Sequence, residues 1–364
     1  MTSYRRFIIF IIGLLLVFVA INAVIWFGWV REIVGTAAEG GDLVRMGYIG
    51  GCRIPRDNSI DLPRQHYDIR QYDHRPVDIV TVGDSFSVGG GYGHNRFYQD
   101  YLASFSGLRV LNVPSYQHSG KELKFNPVAT LAKLVNSGYL DSMKPRYLLL
   151  ETIERYAIPR FTVDFSLNEY ATIADIDHYF RATTFKLASD EVGELKFINN
   201  GNWKFLANLI QYHLRDRARG SKVLMTRLSK PLFSSSRKRQ LLFYQDDLNA
   251  TAQATAANVA LLNDNLNRLA ALLHKKGITL VFMPVVDKFD LYYPYILANT
   301  YPENHFFEEL RPLKKQYLFI DTKEILARLV RQGELDVFFP DDTHWSWKAP
   351  QAIFACDRFW QAHP

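Results

Sequence analysis

Five short, nearly continuous apolar runs recur along this chain, at 78–82, 108–113, 146–151, 278–283 and 317–320. Strands that are apolar along their whole length are buried on both faces, which is the pattern of a parallel sheet. Helical stretches fall between them. Residues 97–105 and 128–135 follow the first two runs, and 323–331 and 349–361 follow the last. The stretch 249–275 is longer, with Val259, Leu262, Leu266, Leu269 and Leu273 at helical spacing and Gly277 as its stop. This alternation predicts an α/β domain of three layers with a flavodoxin-like parallel sheet. Residues 156–245 break the alternation, aromatic first and then basic, and are too long for a simple connection. They are expected to be an insertion: a lid, a cap or a membrane-facing element.

Residues 7–30 read FIIFIIGLLLVFVAINAVIWFGWV, with Asn22 the only strongly polar residue. About 20 apolar residues span a bilayer as a helix. Arg5 and Arg6 precede the run, and Trp26 and Trp29 lie near its far end. Basic residues favour the cytoplasmic side, and tryptophans collect at membrane interfaces. The reading is a cytoplasmic tail at 1–6, an uncleaved anchor at 7–30 and a linker with domain lead-in at 31–75. A single extracytoplasmic domain at 76–364 follows, outside the inner membrane. Ala20 and Ala23 make a poor signal-peptide cleavage site. The box ending at Cys52 lies too far from the apolar run to be a lipoprotein signal.

The net charge of +6 is partly clustered, at Arg215, Arg217, Arg219 and Lys222 and at Arg237, Lys238 and Arg239. Such clusters suit anionic partners or a solvated face. No zinc-finger or RNA-binding signature accompanies them, so no nucleic-acid partner is expected. Cys52 and Cys356 are the only cysteines; an exported chain permits their pairing, and free thiols stay equally open. No Cys/His cluster has metal-site spacing, and neither a metal nor a cofactor is expected.

Two motifs carry chemistry. Gly83-Asp84-Ser85 directly follows the first apolar run, where a parallel sheet binds its ligands. A serine needs a base, and the base an orienting acid. Asp341-Asp342-Thr343-His344-Trp345-Ser346, before the last helix, supplies both types, with a polar turn as the alternative reading.

Taken together, these motifs resemble the SGNH/GDSL hydrolase superfamily. GDSFS, LLLETIERY, MPVVDKFDLYYPY and DDTHWS, in that order, resemble more narrowly its alginate O-acetyltransferase-related branch. The resemblance covers roughly residues 75–362, apart from most of 160–245. It implies Ser85 as nucleophile, His344 as general base and Asp342 as its acid, with Asp341 as the alternative. For the oxyanion it implies the Ser85 N–H, with Ser115 near the position of the usual glycine and Gly120 beyond it. Glu154-Arg155 replaces the usual Gly-x-Asn-Asp. Arg155 is therefore expected to donate to the oxyanion, to bind an acidic acceptor or to pair with Glu154 or Glu151. Lys288, just past the fourth run, is a candidate substrate contact or a solvated loop residue. Gly89, Gly90, Gly91 and Gly93 leave room beside the serine or form a flexible loop.

The resemblance implies O-acylation, chiefly O-acetylation, of a cell-envelope or exported polysaccharide. The acyl group would come from a polytopic membrane-bound O-acyltransferase. An esterase of the same fold and a non-catalytic polysaccharide-binding scaffold are the alternatives.

Overall fold

The computed structural model describes residues 2–33, 41–114, 127–163, 167–182 and 197–355. Its centre is a six-stranded sheet, parallel throughout, in the order β1-β3-β2-β4-β7-β8. The strands are β1 (Tyr67–Asp68), β2 (Ile79–Gly83), β3 (Val110–Pro114), β4 (Tyr147–Ile153), β7 (Thr279–Val285) and β8 (Leu318–Phe319). All five apolar runs form strands. Register places Val80 beside Leu111 on one side and Leu148 on the other. Every residue of β2 and β4 is buried. Burying a side chain such as Val80 or Leu148 contributes about 1.5–3 kcal/mol, so the sheet's centre cannot shift register cheaply.

Helices cover both faces. One face carries α3 (Tyr98–Ser106), α8 (Thr322–Arg331) and α9 (Lys348–Phe354). The other carries α4 (Pro127–Asn136), α5 (Glu154–Phe161) and α7 (Ala256–His274). The predicted helix at 249–275 is in fact two, because Thr255 caps α7 by accepting from the Asn258 N–H at 3.3 Å. Strand order reverses at β2, with β3 on one side and β4 on the other. This is a topological switch point, where ligands bind beyond the carboxyl ends of the strands.

The insertion has its own architecture. It holds α6 (Asn200–Leu214) and an antiparallel hairpin of β5 (Val223–Arg227) and β6 (Gln240–Tyr244). The N-terminal apolar run is α1 (Thr2–Ile25), continued by a π-turn at Trp26–Val30. Ser3–Val30 is long and apolar enough to cross a membrane, with mean hydropathy 3.1. A second, smaller core joins it to the insertion through Ile25, Val30, Leu43, Phe205, Tyr212 and Leu242. The segment expected to be a linker contributes to this core, since α2 (Asp42–Gly47) buries Leu43 and Val44.

Candidate active site

β2 ends at Gly83, where a side chain has no room. A Cβ at Gly83 would stand 2.1 Å from Ser87 Oγ and 2.2 Å from Glu151 Oε2. Asp84 turns inward. Its Oδ2 accepts from the Ile153 N–H at 3.0 Å and from Arg160 Nη1 at 2.6 Å. Burial works against the Asp84 charge, but Arg160 and the Ile153 N–H hold its pKa below the usual value. Burial and the neighbouring Asp84 charge keep Glu151 well above its own. Glu151 Oε2 accepts from the Asp84 N–H and from Ser87 Oγ. This network fixes the turn and leaves Ser85 pointing out of it.

His344 arrives on a tight turn closed by a bridge between Phe338 and Trp345 and by the Phe339 N–H donating to the His344 carbonyl at 3.2 Å. His344 Nε2 lies 2.8 Å from Ser85 Oγ, and Nδ1 lies 2.7 Å from Asp342 Oδ1. The same Asp342 oxygen accepts the His344 N–H at 3.0 Å. This local Asp-to-backbone bond sets the ring angle. The Phe86 ring packs against the imidazole, with centroids 4.7 Å apart.

The glycines have a more specific use than open space for an acceptor. A Cβ at Gly90 would stand 2.3 Å from both Cδ2 and Nε2 of His344. Gly90 thus admits the imidazole itself. Its N–H donates to the Ser85 carbonyl at 2.8 Å. Among the described residues no acceptor is paired with the Ser85 N–H, so this donor is available to a developing oxyanion.

Of the two adjacent acids, the structure gives the histidine to Asp342. Asp341 turns the other way and accepts from Arg56 Nη2 at 2.8 Å and from the Gly41 N–H at 3.1 Å. Burial opposes the Asp342 charge, yet His344 and Arg56 hold its pKa far below the usual carboxylate range. Burial likewise opposes charge on His344. The Asp342 charge and hydrogen bond, and then Asp42, outweigh it and raise the imidazole above its usual 6.5.

Asp42 was invisible as a site residue in the sequence, because it lies in the presumed linker. It accepts from both the Thr343 N–H, at 2.8 Å, and the Thr343 hydroxyl. Burial and the Asp342 charge push its own pKa up to about 6. Asp42, Asp342 and His344 offer ligand-type atoms within 4.8 Å of one another. Asp42 is already bonded to Thr343, and Asp342 to His344, so each of these groups is engaged within the turn.

Two expectations need correction. Lys288 does not lie in solvent: it is 1 % exposed. Its Nζ donates to the carbonyls of Phe339, Pro340 and Asp342 at 2.8, 3.0 and 3.1 Å, so it holds the histidine turn from beneath. Burial lowers its pKa to about 8, against the opposing pull of Asp341 and Asp342. Arg155 pairs with neither Glu154 nor Glu151. Its Nη1 donates to Asp287 at 2.7 Å and Asp247 at 3.0 Å, tying the start of α5 to the loop after β7 and to the short helix Gln245–Thr251. That nitrogen is committed to two carboxylates, while Arg155 Nε has no partner among the described residues and the guanidinium charge acts on His344. Ser115, Gly120 and Cys356 lie outside the described residues; Cys52 is buried.

A parallel sheet carrying serine after β2, with an Asp-x-His turn before the last described helix, resembles the SGNH hydrolase-like arrangement. Residues 238–353 match the family model of the SGNH hydrolase-like domain of the acetyltransferase AlgX. That match supports an SGNH-like, alginate O-acetyltransferase-related family for this chain. The matched span contains Asp342 and His344; Ser85 comes from outside it and joins it through the 2.8 Å contact. No curated protein matches the chain.

Proposed function

We propose that this protein is a serine-dependent O-acetyltransferase that modifies a cell-envelope or exported polysaccharide on the outer side of the inner membrane. The observation that carries the reading is the continuous Ser85–His344–Asp342 relay, at 2.8 and 2.7 Å, in a chain that matches an acetyltransferase domain. Its extracytoplasmic placement is supported by the apolar run at 7–30 behind Arg5 and Arg6.

Ser85 Oγ attacks the carbonyl carbon of an acyl donor while His344 Nε2 takes the hydroxyl proton. The Ser85 N–H receives the oxyanion. The donor's leaving group departs with the proton from His344, which leaves acyl-Ser85. A sugar hydroxyl then attacks the acyl carbon, giving its proton to His344. That proton returns to Ser85 Oγ as the ester bond to serine breaks. Asp342 fixes the tautomer with Nε2 free to accept, and it stabilises the imidazolium in both halves. A polytopic membrane-bound O-acyltransferase is the proposed source of the acyl group, because soluble acyl-CoA is not expected outside the membrane.

The test is full-length protein with a chromogenic acetyl ester, with and without an oligosaccharide acceptor. Expected are an acetylated Ser85 peptide by mass spectrometry and acetyl groups on the oligosaccharide, both lost in Ser85→Ala. Free acetate released at a rate and yield indifferent to acceptor would make the protein an esterase. Polymer acylation unchanged in Ser85→Ala would make it a scaffold.

A further inference from the structure

Both faces of α6 are apolar. Gly201, Phe205, Asn208 and Tyr212 are buried against the body. On the opposite face Trp203, Ala207, Ile210 and Leu214 recur at i, i+4, i+7 and i+11, a single helical stripe. Trp203 is 46 %, Ile210 61 % and Leu214 74 % exposed. A contiguous apolar stripe of this kind marks a contact surface.

The contacts of α6 with α1 indicate what covers the stripe. Asn202 Nδ2 donates to Asn22 Oδ1 at 2.9 Å. Trp203 stacks on Phe18 with ring centroids 5.9 Å apart, and Phe205 stacks on Trp29 at 5.5 Å. Asn22 and Phe18 precede the interfacial Trp26 by one and two turns. At about 1.5 Å per residue they lie about 6 and 12 Å along the span from it. The first turn of α6 therefore meets the span below its tryptophan boundary. Interfacial amphipathic helices rest about 5–10 Å into the headgroup and acyl boundary. At the other end of α6, Arg215, Arg217 and Arg219 are exposed, placed for anionic headgroups.

We propose that α6 is a second membrane contact, with the lipid bilayer as the occupant of its outward stripe. This rests on reading α1 as a membrane span. The insertion is then the membrane-facing element among the roles open to it. Its contact fixes how the domain stands on the bilayer, because α6, the end of α1 and α2 share the smaller core.

The test uses full-length protein in phosphatidylethanolamine–phosphatidylglycerol liposomes, with Cys52→Ala and Cys356→Ser as background. An environment-sensitive fluorophore is attached in turn through Leu15→Cys, Ile210→Cys, Leu214→Cys and Lys275→Cys. Lipids carrying a nitroxide near the top of the acyl chain should quench the labels at 210 and 214 at least about twofold more than the label at 275, as expected for shallow burial. Adding Ile210→Glu should abolish the excess quenching at 214. Labels at 210 and 214 that stay in water while the label at 15 is in lipid would overturn the second contact and leave the span intact. A label at 15 that is itself in water would overturn the span reading instead. Blue-shifted emission at 210 without lipid quenching would mean a protein covers the stripe, and would also overturn the proposal.

Discussion

The sheet domain and the anchor-side body solve opposite problems. The sheet domain buries continuous apolar strands between two helical layers, and its polar groups serve to aim a few side chains at the end of β2. The anchor-side body has a small core of its own, a polar clasp between Asn22 and Asn202, and an uncovered apolar stripe on α6. The two meet at residues 41–56. There the Gly41 N–H and Arg56 hold Asp341, and Asp42 holds Thr343, both on the turn that carries His344. The contrast teaches that the Ser85–His344 pair is built on the sheet domain while a charge acting on it comes from the segment that follows the N-terminal apolar helix. Changes in the sheet domain should therefore alter turnover itself, and changes in the anchor-side body should alter where turnover occurs.

The largest effect tests the sheet side. Ser85→Ala should lower acetyl-ester turnover by more than about 10³-fold while circular dichroism stays that of the parent. Comparable residual turnover would break the claim that this relay performs the chemistry. Gly90→Ala should come next. Its Cβ would lie 2.3 Å from the imidazole, and displacing a base by about 1 Å costs roughly 10²-fold. The readout is kcat with little change in thermal midpoint; an unchanged kcat would show that the histidine turn yields easily.

Lys288→Met should act mainly on stability. The Phe339 carbonyl keeps the Asp342 N–H at 3.3 Å, but the carbonyls of Pro340 and Asp342 lose the ammonium, at about 1–3 kcal/mol for each buried polar group left unpaired. Chemical denaturation should show a lower midpoint, with kcat falling as the turn loosens. Full stability in the variant would mean that water replaces the ammonium there.

Asp42→Asn tests the junction between the two regions. The Asp42 charge helps raise the His344 pKa. Its removal should lower that pKa, so more imidazole is unprotonated in mild acid. The acid limb of the pH–rate profile should shift to lower pH, with a smaller change at the plateau. A limb that stays in place would uncouple the anchor-side segment from the base.

The smallest effect on chemistry is expected from Asn202→Ala. Loss of its bond to Asn22 should weaken the clasp by about 0.6 kcal/mol, the usual size for a polar contact beside lipid. Turnover of a soluble ester should be unchanged, while acetylation of polymer in intact cells falls. A parallel loss in both assays would erase the distinction between the regions.

Local pattern determined much of this protein. Apolar runs with no polar interruption bury on both faces, so five of the six strands of the main sheet were legible, as was the apolar helix at the N-terminus; β1 and the β5–β6 hairpin were not. The pairing of GDS with DDTHWS identified the residues that now stand 2.8 Å apart. Tertiary structure decided the rest, because it depends on direction and on partners distant in the chain. Asp341 and Asp342 are the same residue type in adjacent positions; only the turn's geometry sends one to Arg56 and the other to His344. Lys288 looked like a loop lysine until three carbonyls from residues 339–342 closed around it. Arg155 had carboxylates beside it in sequence but pairs with Asp247 and Asp287. Asp42 lies some 300 positions from Thr343 in a stretch without periodicity, and only folding brings its charge to the base. Burial then makes these contacts strong, since a charge removed from water must find its partner within the protein.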